Sequence, residues 1–198
     1  IITSNWEGYH RIFVKQKHSF LDMSSLEFRS PSRIRTVISA DFDNDGYDEI
    51  FINNIGQANK LFKLKENGIL EKIDLVEAKL ENGLGTGAAV ADIDGDGILE
   101  LLISSGESYK QPLKLFKANI NKDFSYLRIR PINKHNAPAR GATVILKSNL
   151  RTHAKTIDAG SGYLCQMEPV AHFGIRDNEK NFKITIRWTD GTTQSFKI

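Results

Sequence analysis

The chain has 198 residues, 40% of them hydrophobic and 26% charged, with a formal net charge of +3. That is enough sequence to bury a core, too apolar for a disordered tail, and without the uninterrupted apolar run of about 18 residues that a membrane-spanning helix needs. The first residue is Ile1, with no charged and apolar leader behind it, so the start is expected to be cut or processed; the single cysteine, Cys165, excludes an internal disulfide and a cysteine-rich zinc site.

In chain order, the first marker is Arg11-Ile12-Phe13, a basic residue, an aliphatic and a phenylalanine. It returns as Lys60-Leu61-Phe62 and Lys114-Leu115-Phe116, at steps of 49 and 54. Short apolar runs at 36–40, 50–52, 88–91 and 101–103, bounded by Gly, Asn and Ser, predict strands joined by turns. Gly83-Leu84-Gly85-Thr86-Gly87 lacks the Gly-Lys-Ser/Thr ending of a phosphate loop and reads as a turn entering a strand. No segment carries strong helix start and stop signals. A unit of about 50 residues with several strands is the size of a propeller blade, and about two units are visible, with the tail of another before Phe13.

From about Asn121 the pattern changes. Residues 124–130, beginning at Phe124, alternate, as do 142–146 and 183–188, and Asp190-Gly191 supplies a turn into 193–198. The expected architecture is all-β: a partial propeller over residues 1–120, followed by a small antiparallel β-domain over 121–198.

Two segments of the propeller part coincide at an offset of 51. One runs Asp41-Phe42-Asp43-Asn44-Asp45-Gly46-Tyr47-Asp48-Glu49, the other Asp92-Ile93-Asp94-Gly95-Asp96-Gly97-Ile98-Leu99-Glu100. They hold nine of the 24 acidic residues and no Lys or Arg; the rest of the chain then has 27 basic against 15 acidic residues. Asp at positions 1, 3 and 5, Gly at 6 and Glu at 9 put oxygen ligands at alternate residues, which converge if the chain curls, and glycine permits the positive φ of that curl. Such a set suits calcium, with the position 7 carbonyls of Tyr47 and Ile98 as further ligands. Magnesium demands a tighter octahedron, and zinc or copper prefers the His or Cys that both loops lack. Two calcium sites are predicted, at Asp41, Asp43, Asp45, Tyr47 and Glu49, and at Asp92, Asp94, Asp96, Ile98 and Glu100.

An EF-hand is excluded, because position 12 is Ile52 or Ile103 rather than Glu and the flanking runs are too short for helices. A merely solvated Asp-Gly turn would suit one copy better than two in register. Asp48, opposite Leu99 in the other copy, is read as outer-shell or solvated. Packed carboxylates repel by roughly 4 kcal/mol per pair at an effective dielectric near 20, so a loop without its ion should be strained or mobile.

These loops resemble those of FG-GAP or VCBS propeller repeats. The tail resembles the ASPIC/UnbV domain through Gly141-Ala142-Thr143-Val144, Asp158-Ala159-Gly160-Ser161-Gly162-Tyr163-Leu164, His172-Phe173-Gly174 and Trp188-Thr189-Asp190-Gly191-Thr192-Thr193. With Gly106-Glu107-Ser108 and Gln111-Pro112-Leu113, the chain is similar to the cartilage acidic protein family from about Asp41 onward. The resemblance implies a secreted, calcium-binding propeller followed by the ASPIC/UnbV domain, extracellular, or periplasmic or cell-surface in a bacterium. The basic charge departs from the family's name, and the blades are too few for a ring, so the remaining ones are expected outside this chain.

Catalysis is not expected. Cys165 and His172 lie seven residues apart without a third group to orient the imidazole, and Ala159 breaks a Gly-x-Ser-x-Gly elbow at Ser161. Cys165 is read as packed or as paired outside this chain. The other histidines, His10, His18, His135 and His153, have no ligand spacing. The basic excess, including Arg33, Arg35, Arg128, Arg130, Arg140 and Arg151, raises a polyanion such as an acidic glycan as a partner, with solvated sheet faces as the alternative. No nucleic-acid reader motif is present. The expected role is an extracellular interaction or adhesion protein with structural calcium and a protein or glycan partner, without membrane insertion. The alternative is a non-catalytic accessory module of a secreted or biosynthetic enzyme.

Overall fold

The structure, a computed structural model, describes residues 1–65, 69–120 and 125–198. Asn121, where the second domain is expected to begin, and Phe124 lie outside the described residues.

The first 120 residues form three antiparallel sheets. The first holds β1 (Ile2–Thr3), β2 (Arg11–Lys15) and β3 (Phe20–Asp22). After one helical turn, α1 (Leu26–Arg29), comes the meander β4 (Ile34–Ala40), β5 (Glu49–Asn54), β6 (Lys60–Leu64) and β7 (Leu70–Ile73). A 3-10 turn (Val76–Lys79) leads to β8 (Gly85–Ala91), β9 (Glu100–Ser105) and β10 (Lys114–Lys117). The Phe markers fall on β2, β6 and β10.

Hydrophobic side chains hold the sheets face to face. Phe28, Ile34, Ile50, Ile52 and Phe62 pack with Ile2 and Ile12 of the first sheet, whereas Ile38 and Phe51 pack with Ala88, Leu101 and Ile103 of the third. β5 is buried along its whole length because Ile50 and Ile52 face one neighbour and Phe51 the other; hence its continuous apolar run. Stacked meanders with no closed barrel make a partial propeller. The turn α1 went unread because four residues show no period; Ser25 caps it, its Oγ accepting from the Phe28 amide at 3.1 Å.

The tail has β11 (Ser125–Ile129), β12 (Thr143–Lys147), β13 (Thr152–Thr156), β14 (Ala171–Ile175), β15 (Lys183–Arg187) and β16 (Thr193–Lys197). β11 pairs with β14, and the other four form a sheet in the order β13-β12-β15-β16. Val144, Leu146, Ile157, Phe173, Ile184 and Ile186 make a separate core between the two.

Three features place the acidic loops. Each loop joins the first strand of its meander to the next, β4 to β5 and β8 to β9, with Ala40 opposite Glu49 and Ala91 opposite Glu100. β4 lies against β8, which sets the loops side by side. The stretch after the glycine-rich loop lies over both strands: the Tyr163 amide donates to Thr36 Oγ1 at 3.0 Å. Among the described residues no helix is long and apolar enough to cross a membrane.

Candidate cation site

The two loops repeat one hydrogen-bonding scheme. Asp41 Oδ2 accepts the Gly46 amide at 2.9 Å, and Asp92 Oδ2 accepts that of Gly97 at 3.0 Å. The position 3 carboxylates accept the amides of Asp45 and Asp96, and the position 5 carboxylates accept those of Tyr47 and Ile98. Glu49 and Glu100 reach back to the amides of Phe42 and Ile93 at 2.9 and 2.7 Å. Gly46 and Gly97 have φ of 87° and 83°, the left-handed turn that the curl requires. Oxygens of Asp41, Asp43 and Asp45 lie within 4.8 Å of one another, as do those of Asp92, Asp94 and Asp96.

A cationic side chain already reaches into each cluster. Lys63 Nζ contacts Asp43, Asp45 Oδ2 at 2.7 Å and Glu49 Oε1 at 3.5 Å. Lys117 Nζ lies 2.7, 2.8 and 2.7 Å from Asp94, Asp96 and Glu100. Each lysine stands directly across the ladder from the loop's glutamate. The ammonium offsets the carboxylate repulsion expected of an ion-free loop. Sequence reading missed these lysines although a signal was present: the marker continues to Lys63 and Lys117 where an acidic loop precedes it, and to Val14 where none does.

The loops differ at position 1. Asp41 is 1% exposed, and its Oδ1 is buried without a hydrogen-bond partner. Burial, with Asp48 and Asp45 nearby, pushes its pKa up to about 7 against Lys155 and the Gly174 amide; burial and the charges of Asp43 and Asp41 push Glu49 to about 8. A buried carboxylate oxygen with no donor, on a residue whose carboxylate converges with those of Asp43 and Asp45, fits a hard cation with oxygen ligands. In the second loop Asp92 Oδ1 accepts the Gly95 amide, and Oδ2 takes Arg128 Nη1 besides Gly97.

The tail grips both loops. A Cβ on Gly174 would stand 2.4 Å from Asp41 Oδ2, so only glycine lets β14 come close enough for its amide to reach that oxygen at 2.9 Å. Arg151 donates to the carbonyls of Gly46 and Gly174, both at 2.7 Å, and is anchored by Glu179. Arg176 donates to the Asp45 carbonyl at 3.1 Å, and both guanidiniums stack on Tyr47. His172 Nε2 pairs with Asn44 Oδ1 at 2.6 Å, and Asn44 Nδ2 donates to the Gly97 carbonyl of the other loop.

Other expectations are settled locally. Asp48 is not simply solvated, since it pairs with Lys155 at 2.5 Å. His172 is engaged by Asn44 and stacks on Tyr126, and no hydrogen bond joins it to Cys165 among the described residues. Cys165 forms no disulfide among the described residues. Of the arginines considered for a polyanion, Arg33, Arg35, Arg128 and Arg151 are committed to Glu7, Glu107, Asp92 and Glu179.

A repeat carrying paired acidic loops, gripped by a following β-rich tail, matches two family models: an FG-GAP-like repeat over residues 41–103, and ASPIC and UnbV over 132–198. The chain is 44% identical to cartilage acidic protein 1 of Homo sapiens, across all of this chain and 32% of that protein. The chain belongs to the cartilage acidic protein family. The Mus musculus relative is also 44% identical over the whole chain, and the Xenopus tropicalis one is 44% identical over 96% of it. The chain spans about a third of the length of these family members. All three are animal proteins, so the bacterial location is not borne out.

Proposed function

We propose that this member of the cartilage acidic protein family is an extracellular, non-catalytic binding protein whose two acidic loops hold structural calcium. Asp41 Oδ1 carries the reading: a buried, unpartnered carboxylate oxygen beside Asp43, Asp45 and Glu49 is a ligand awaiting a cation. Tyr47 and Ile98 complete the ligand sets through their carbonyls, and Lys63 and Lys117 swing aside when the ion enters. Residues 1–120 act as propeller blades and 121–198 as an ASPIC/UnbV domain, whose grip makes the loops the joint between the two. Calcium tightens that joint, and the assembled surface meets a protein or glycan partner. Extracellular calcium modules bind with dissociation constants on the order of 10⁻⁴ to 10⁻³ M, which suits that location.

Thermal unfolding in excess calcium, in magnesium and in chelator tests this. Binding to the folded state alone raises the midpoint by mass action. Calcium is expected to raise it well above the chelator value, magnesium less, and Asp43→Ala is expected to remove most of the gain. Identical midpoints in the three conditions would refute the reading.

A further inference from the structure

The outer face of the β13-β12-β15-β16 sheet carries a charge pattern unrelated to the loops. Lys147 on β12 stands opposite Lys183 on β15, and Lys183 stands opposite Lys197 on β16. All three are exposed, on the side away from Val144, Leu146, Ile184 and Ile186. Neighbouring strands are about 4.8 Å apart, so three ammonium groups rise in a row about 10 Å long. Like charges directly opposite one another destabilise a sheet, and among the described residues none of the three has an ion-pair partner. Lysines on edge strands guard against unwanted pairing. That explains Lys197, but Lys183 and Lys147 lie on the two interior strands.

The same face continues with hydroxyls. Thr185 Oγ1 and Ser195 Oγ are 2.9 Å apart in the next row, Thr143 and Thr156 pair at 3.4 Å in the row after, and Arg187 stands beside Thr143. Cations at both ends, about 13 Å apart along β15, with hydroxyls between them, complement a chain of alternating anionic and hydroxyl groups. Nucleic acid fits less well, because base stacking needs exposed aromatic rings and Phe196 alternates to the opposite side of β16.

We propose that this face binds a sulfated acidic polysaccharide, through Lys147, Lys183 and Lys197 at one end and Arg187 at the other. The proposal names the partner class left open above and does not depend on the calcium reading.

The test is binding to immobilised heparin over a range of salt concentrations, in calcium and in chelator. It compares the unaltered chain with Lys147→Ser/Lys183→Ser/Lys197→Ser, and with a control of equal charge loss in the first 120 residues, Lys15→Ser on β2 with Lys17→Ser and Lys110→Ser in the connections. The ladder variant is expected to weaken binding at least about tenfold and to flatten the dependence of log affinity on log salt by roughly two to three. Its unfolding midpoint should be no lower, because the repulsion is gone. The single variant Lys183→Thr, a good strand former, gives the same direction of change should the triple variant fold poorly. Equal loss in the control, no binding by the unaltered chain, or equal displacement by a single-stranded oligonucleotide of matched charge would overturn the proposal.

Discussion

Arg128 stands over Asp92: its Nη1 donates to Asp92 Oδ2 across 2.7 Å, while its other terminal nitrogen reaches Glu168. The matching residue of the first loop, Asp41, receives only the backbone amides of Gly46 and Gly174. On its ligand carboxylates the second loop therefore carries two cationic side chains, Lys117 and Arg128, and the first carries Lys63, its other cations meeting the Gly46 and Asp45 carbonyls and Asp48. Affinity for calcium follows the net charge of the ligand set, so the first loop is expected to bind more tightly. Arg128→Met should raise calcium affinity at the second loop by about tenfold, or 1.4 kcal/mol. It should also lower stability in chelator, since Asp92 keeps a buried carboxylate. Calorimetric titration checks both loops at once, and unchanged affinities would count against the difference.

Asp41→Asn separates the cost of the buried carboxylate from its use. Without calcium the substitution removes a buried charge whose Oδ1 has no hydrogen-bond partner while leaving an oxygen for Gly46 and Gly174, and is expected to be neutral or stabilising by about 1 kcal/mol. With calcium it removes a charged ligand and is expected to destabilise. Urea unfolding in the two conditions should show this change of sign; destabilisation in both would show that Asp41 serves the fold alone.

The strands and loops were legible where their determinants are local. Asp at alternate positions followed by Gly specifies a curl within nine residues, and β4, β5, β8 and β9 show as apolar runs. β13 escaped because its inward side chains are His153 and Lys155, which face Tyr47 and Asp48, so no apolar alternation exists. β14 escaped because it is buried on both sides, by loop and by core. The grip on the loops could not be read at all: Gly174 meets Asp41 across 133 positions, and Arg151 meets Gly46 across 105. Lys63 and Lys117 were readable in principle, being one residue beyond a marker already aligned.

Arg151 ties Glu179 to both the loop and β14. Glu179 is buried, and Arg151 meets it through Nε at 2.8 Å and Nη2 at 2.7 Å. Removing one partner of a buried ion pair strands the other, so Arg151→Ala is expected to cost roughly 3–5 kcal/mol. Glu179→Gln, which keeps a hydrogen-bond acceptor, should cost less. Chemical denaturation of the two variants provides the comparison; a cost within about 0.5 kcal/mol for Arg151→Ala, typical of surface changes, would contradict the clamp.

His172 gives the fold a pH dependence. Burial, aided by the charges of Lys155 and Arg128, lowers its pKa to about 4 from 6.5. At this residue the folded state thus binds fewer protons than the unfolded chain between these values, opposite in sign to the raised carboxylates of Asp41 and Glu49. The contribution of His172 to stability is complete above about pH 6.5 and is lost as pH falls toward 4, by roughly 3 kcal/mol. His172→Gln should remove this contribution, so that the variant gains stability relative to the unaltered chain as pH falls from 6.5 toward 4, with thermal unfolding across the range as the measurement. An unchanged slope would mean that other groups set it.

Crystals grown with calcium address the central claim most directly, through the anomalous scattering of the ion. One peak is expected in each loop, with carboxylate oxygens of Asp43 or Asp94 about 2.3–2.6 Å away and the ammonium groups of Lys63 and Lys117 displaced. Maps without a peak in either loop, and with both lysines still seated among the carboxylates, would contradict it.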